Sequence, residues 1–188
     1  MEIKPPPCSF TLVSVSAERP LSGSFEELAL PLFERLYNFA CWLTQDRQEA
    51  EDLVQETYVK ALRGFDSFQA GTNFRAWIYR ILRNAFLTSR AGLRPTVPLD
   101  PEEDAERLPV AAETPESILL QRLDGETMRQ ALDQLPVIYR EALILCEVEE
   151  MSYQEISQAL NIPMGTVMSR LSRGRRELRR IIQNVNKG

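Results

Sequence analysis

The 188-residue sequence has no histidine, which removes the commonest metal ligand and the commonest general base at neutral pH. Its three cysteines, Cys8, Cys41 and Cys146, are far apart, odd in number and form no C-x-x-C pair. Neither a disulfide framework nor a zinc site is indicated, and a reducing cytosol fits such usage. Long apolar runs are missing as well. Ser9–Val15 is too short to span a bilayer and nothing basic precedes it beyond Lys4, so neither signal peptide nor membrane anchor is expected. No segment shows the alternation of a strand. No nucleophile–base constellation is visible, and adjacent acids such as Glu51 and Asp52 point apart on a helix, so neither catalysis nor a cofactor is expected.

With 44% hydrophobic and 26% charged residues the chain has the composition of one ordinary domain or two small ones. The net charge of −5 argues against a general nucleic-acid coat. Its distribution says more. Asn73–Arg94 holds five arginines (75, 80, 83, 90 and 94) and no acid, and Arg170–Gly188 holds seven bases against Glu177 alone. Between them, Pro95–Glu126 carries nine acids against Arg107 and Arg122. Two basic blocks separated by an acidic one suggest two polyanion-facing surfaces on one chain.

Pro5–Pro7, Pro20 and Gly23 make residues 1–23 a flexible tail. Helical patterning starts near Phe25, where Leu28, Leu32, Leu36, Phe39 and Leu43 form one apolar stripe. A second helix, from about Arg47 to Leu62, turns Leu53, Val54, Tyr58, Ala61 and Leu62 inward and is closed by Gly64. After a loop, Thr72 or Asn73 caps a third helix. Its inner face is Phe74, Trp77, Ile78, Ile81, Leu82 and Ala85, and its opposite face Arg75, Tyr79, Arg80, Arg83 and Asn84. Residues 95–117 contain five prolines among like charges and read as an extended linker. Helical patterning resumes at Ile118–Leu123, continues through Met128–Leu135, and restarts at Pro136. The expected architecture is all-α, two small helical domains (24–94 and 118–186) on a flexible acidic tether.

The second domain ends in a helix-turn-helix pattern. Ser152-Tyr-Gln-Glu155 is a capping box, Asn161-Ile162-Pro163 makes the turn, and Val167, Leu171, Gly174 and Leu178 face inward on the next helix. Thr166, Ser169, Arg170, Arg173 and Arg176 face largely outward. Such a helix can enter the major groove by its N-terminal half, while later arginines hold phosphates. A basic helix alone can equally be a solvated face, and many regulators own this motif. The box, the turn, the apolar set and the arginine face together favour DNA binding.

In the first domain, Gln48, Glu49, Asp52, Gln55 and Glu56 gather on one polar face, which by itself could be merely solvated. The helix AEDLVQETYVKAL (50–62), the helix FRAWIYRILRNAF (74–86) and the segment MSYQEISQALNIPMGTVMSRLSRGRREL (151–178) resemble, in order, regions 2.2, 2.3–2.4 and 4.2 of bacterial group 4 sigma factors. These are the extracytoplasmic-function, or ECF, sigma factors of RNA polymerase. The resemblance covers about residues 24–94 and 119–182. The lack of a region 1.1 and of a region 3 domain places the expectation in group 4. Met168 departs from the basic residue that many members carry there.

The resemblance implies a promoter-specificity subunit without catalysis of its own. The face of Gln48, Glu49, Asp52, Gln55 and Glu56 would dock on the clamp helices of core polymerase, with the flap as a second contact. Phe68, Asn73, Arg75, Trp77, Tyr79, Arg80, Arg83 and Asn84 would recognise and melt the −10 element, although Trp77 is as well suited to the core. Thr166, Ser169, Arg170, Arg173 and Arg176 would bind the −35 element. It further implies a stress regulon, a cytoplasmic location and control by an anti-sigma factor. The strings GTN, AW and GTVMSRL look especially like the subgroup answering thiol-oxidative stress, whose anti-sigma partner contains zinc.

Overall fold

The structure, a computed structural model, describes residues 24–69, 72–90 and 125–185. The expected tail, the linker and the helical start at Ile118–Leu123 lie outside the described residues. Within them all regular structure is helical. α1 (Phe25–Ala29) begins at Ser24, whose hydroxyl accepts from the Glu27 amide while the Glu27 carboxylate accepts from the Ser24 amide. A 3₁₀ turn over Leu30–Leu32 separates it from α2 (Phe33–Thr44). The single helix read from Phe25 onward is therefore divided, at Pro31, which has no N–H to donate to the helical ladder.

α3 (Arg47–Gly64) is capped by the Asp46 carboxylate, which accepts from the Glu49 amide at 2.8 Å. Gly64 does not close it in the left-handed conformation. It keeps φ −88° and leads directly into a 3₁₀ turn over Phe65–Ser67. α4 (Phe74–Arg90) starts at Asn73, whose side-chain oxygen accepts from the Ala76 amide at 3.0 Å. α2, α3 and α4 pack around Leu36, Phe39, Leu43, Leu53, Val54, Ile78 and Leu82. Leu62, read as inward, is 55% exposed, because α4 covers the other side of α3.

The second bundle is α5 (Gly125–Asp133), α6 (Val137–Leu143), α7 (Tyr153–Leu160) and α8 (Met164–Val185). A π-helical turn over Ile144–Val148 joins α6 to the approach to α7. Leu135, Ile144, Leu145, Ile156, Leu160, Leu171 and Ile182 fill its centre, each full burial stabilising by roughly 1.5–3 kcal/mol. Gly174 lets α8 cross α6 closely: an added Cβ would lie 3.1 Å from the Tyr139 Cβ.

The two bundles are in direct contact, which the tethered picture does not foresee. α4 lies along α7, the end of α2 meets α6, and one hydrophobic core runs through both. Among the described residues four polar or charged ones are buried, Thr57, Arg140, Glu141 and Glu149, and the last three lie where the bundles meet. Arg140 donates to the carbonyls of Trp42, Asp133 and Leu135, tying α2 to both ends of the α5–α6 turn.

Candidate nucleic-acid and polymerase interfaces

The helix-turn-helix is built by local chemistry. The Ser152 hydroxyl accepts from the Glu155 amide, and the Glu155 carboxylate accepts from the Ser152 amide at 2.8 Å. These bonds, with one from Asn73, hold the Glu155 carboxyl below the usual carboxylate range. Asn161 takes the left-handed conformation that ends α7, at φ 53°. The Ser157 hydroxyl donates to the Ile162 carbonyl, closing the turn from inside. Pro163 stands just before α8, and its carbonyl accepts from the amides of Thr166 and Val167. Val167, Leu171, Gly174 and Leu178 are buried as expected.

The outer face of α8 differs from the expected one. Arg170 is not outward: its side chain is 11% exposed and donates to the buried Glu141 at 3.1 Å. Thr166, Ser169 and Arg173 are half-buried, the Ser169 hydroxyl donating to the Thr166 carbonyl, and Arg176 is exposed. The open surface of the first two turns belongs to Met164, Gly165 and Met168, with Met168 40% exposed. The two methionines were missed as groove-facing candidates because an apolar side chain is assigned to the core by default. Their place at the start of the second helix is the signal that contradicts that default.

Around the start of α4, Phe25, Phe65, Phe68, Phe74 and Trp77 form an aromatic cluster, with Phe65 and Phe68 stacked at 6.0 Å. Phe68 and Trp77 are only half-buried. Beside them opens a polar pocket of about 590 Å³ lined by Ser67, Phe68, Thr72, Asn73, Arg80 and Gln158. Arg80 and Asn84 are exposed. The remaining candidates of this helix face the second bundle. Asn73 donates to Glu155 at 2.9 Å, Arg75 to the Glu149 carboxylate at 3.0 Å and to its carbonyl, and Arg83 to both oxygens of Glu141. Tyr79 is fully buried rather than outward, donating its hydroxyl to Glu149 at 2.6 Å. Burial, with that carboxylate alongside, keeps the phenol protonated.

Gln48, Glu49, Asp52, Gln55 and Glu56 all lie exposed along α3. Glu49 pairs with Arg90 at 2.5 Å and Glu56 with Lys60 at 2.6 Å, surface pairs that a cationic partner could exchange at little cost. The stripe borders an apolar groove of about 200 Å³ formed by Leu30, Phe33, Tyr37, Val54 and Tyr58, which periodicity alone had turned inward or left unnoticed. The Tyr58 hydroxyl donates to the Ala29 carbonyl, and burial pushes its pKa up to about 12. Among the described residues no group of three or more histidine, cysteine or acidic side chains is placed to hold a metal ion. No described helix is long and apolar enough to cross a membrane.

Comparison with known proteins bears on both halves. Residues 32–94 match the family described as Sigma-70 region 2, and residues 118–178 the family Sigma-70, region 4. The ECF RNA polymerase sigma factor EcfG of Rhodopseudomonas palustris is 36% identical over 85% of this chain and 85% of its own length. SigE of Mycolicibacterium smegmatis is 35% identical over 92% of this chain and 67% of its own. Among solved structures, the sigma factor RpoE from Bartonella quintana, crystallised with the anti-sigma factor NepR, superposes with a TM-score of 0.64 at 31% identity, over 85% of this chain and 96% of that one.

Proposed function

Since this chain belongs to the sigma-70 family, among its ECF members, we propose that it binds core RNA polymerase and gives it promoter specificity through two DNA-reading surfaces. The observation that carries the reading is the pairing, on one chain, of a helix-turn-helix with a separately capped basic-aromatic helix beside a polar pocket.

Residues 118–186 act as the upstream-reading domain. The first turns of α8 enter the major groove of the −35 element, where Thr166 and Ser169 hydrogen-bond and Arg173 and Arg176 hold the backbone. Arg170 acts there chiefly by fixing Glu141. Residues 24–94 act on the −10 element. Phe68 and Trp77 offer ring faces to unstacked bases, the pocket lined by Asn73 and Arg80 takes a flipped base, and Asn84 with Arg75 and Arg83 lines the path of the displaced strand, with Tyr79 buried behind them. The exposed face of Gln48, Glu49, Asp52, Gln55 and Glu56, three of them acids, meets the basic clamp helices, and the apolar groove beside it adds buried area. Residues 95–117 link the two readers.

Control by an anti-sigma factor belongs to this reading, supported by the likeness to a sigma factor solved with such a partner. The narrower assignment, to a thiol-stress regulon with a zinc-containing partner, has support from its sequence strings alone. A cytoplasmic location, nucleoid-associated within holoenzyme, follows from the role. The test is reconstitution: the full chain with core polymerase should initiate from a discrete set of genomic promoters. A chain that neither binds core nor directs initiation would overturn the reading.

A further inference from the structure

The apolar side chains of α8 fall into two sets. Val167, Leu171, Leu178, Ile181 and Ile182 are buried, each 6% exposed or less. Met164 and Met168 lie off that stripe, 50% and 40% exposed, one helical turn apart on the same side of the helix. Gly165 stands beside them with open space where a Cβ would be. A glycine inside a helix is less stable than an alanine, and no neighbour in the fold requires one here. What it provides is a close approach from outside the chain. Polar groups of the same two turns are committed to the protein itself: the Ser169 hydroxyl donates to the Thr166 carbonyl, and Arg170 donates to Glu141. Residues 163–169 carry no charge, so the leading edge of the helix is apolar while the arginines follow behind it.

We propose that Met164 and Met168 read the methyl groups of thymine in the −35 element, giving this chain a sequence preference that its hydrogen-bonding side chains do not supply. This rests on the −35 assignment above. In the major groove every base edge presents hydrogen-bonding groups, and the only methyl group is that of thymine. A methionine side chain has no donor and only a weak acceptor. It gains little from the edges of guanine, adenine or cytosine, and it removes apolar area from water against thymine. Its unbranched chain can turn to fit the methyl group, where a β-branched side chain is held to one rotamer. The first two turns are also the part of a recognition helix that reaches base edges, whereas the arginines beyond them meet phosphates. Gly165 lets the backbone sit low enough in the groove for both flanking methionines to reach.

The test uses holoenzyme assembled from core polymerase and the full chain, with a fluorescein-labelled duplex of a promoter from which it initiates. Each thymine of the −35 element, on either strand, is replaced in turn by deoxyuridine, which removes the methyl group and leaves the base pairing unchanged. At one or two positions the parent should bind the deoxyuridine duplex about fourfold more weakly, the loss expected for one buried methyl-sized group. Met164→Gln with Met168→Gln keeps side-chain length and helix preference without the apolar contact, and should bind the thymine and deoxyuridine duplexes alike. Met168→Leu, which keeps an apolar side chain, should retain the preference for thymine. Both variants change exposed positions and should leave the circular dichroism as it is. A parent that binds every duplex equally would overturn the proposal, as would a −35 element in which no A·T pair matters. A glutamine variant with the parental discrimination, or a leucine variant without it, would also overturn it. Failure of the −35 assignment is a different result: exchanging the whole element for unrelated sequence would then leave holoenzyme binding unchanged.

Discussion

At the scale of single residues, the informative positions are those where a side chain meets something remote in sequence. Gly174 is one, because at the crossing of α6 and α8 an added methyl group would lie 3.1 Å from the Tyr139 Cβ and 3.2 Å from a Leu143 methyl. Gly174→Ala should gain up to about 1 kcal/mol of helix propensity and lose about 1–3 kcal/mol to overpacking against Tyr139 and Leu143. The net expectation is a loss near 1 kcal/mol, read as a lower urea midpoint at unchanged slope. Glu155 is another. Its folded pKa is depressed by the Ser152 cap and by Asn73, so its contribution is present above the ordinary carboxylate pKa and is lost as pH falls through the lower folded value. Glu155→Gln should therefore be less stable than the parent at pH 7. The gap between the two should narrow as equilibrium unfolding is repeated below the usual carboxylate range, and a gap independent of pH would contradict the assignment.

At the scale of elements, helix starts carry much of the specification. Ser152 and Asp46 each satisfy a free amide at the head of a helix whose buried face packs only when the helix is in place. Ser152→Ala and Asp46→Ala should each cost about 1 kcal/mol, a fall in melting temperature of roughly 2–4 °C. Ser152→Ala should in addition weaken binding of −35 duplex by holoenzyme, since α7 sets the angle at which α8 is presented. The Ser152 cap is read directly from the sequence, since a capping box depends on residues three apart, whereas the Asp46 cap is seen only in the structure. The division of the first helix at Pro31 was legible in principle and was passed over because the apolar stripe runs through it. Gly64 shows the reverse failure: its type suggested a left-handed terminus, while the following 3₁₀ turn continues the right-handed path.

At the scale of the whole molecule, charge is segregated by partner. The acid stripe of α3 lies exposed, with Glu49 reaching Arg90 at the end of α4, so it remains open while Arg75 and Arg83 of α4 are covered. Asp52→Lys with Glu56→Lys should weaken binding of core polymerase at least about tenfold at low salt, with the circular dichroism melt preserved, because like charges would then face the basic clamp helices. Unchanged affinity in a fluorescence titration against core would refute the assignment of that face.

The sequence by itself determined the helical segments apart from the break at Pro31, the turn between α7 and α8, the apolar sets inside each bundle apart from Leu62, and the order of the two polyanion-facing segments. These depend on the 3.6-residue period and on contacts a few residues apart. Tertiary structure alone decided what the second face of α4 touches. Asn73, Arg75, Tyr79 and Arg83 look solvent-facing to any local reading, yet their partners lie 58 to 82 residues away, on Glu141, Glu149 and Glu155. Arg170 turns inward for the same reason: Glu141 is buried and would carry an unmatched charge without it. No periodicity announces a carboxylate that is buried only because another bundle arrives to cover it.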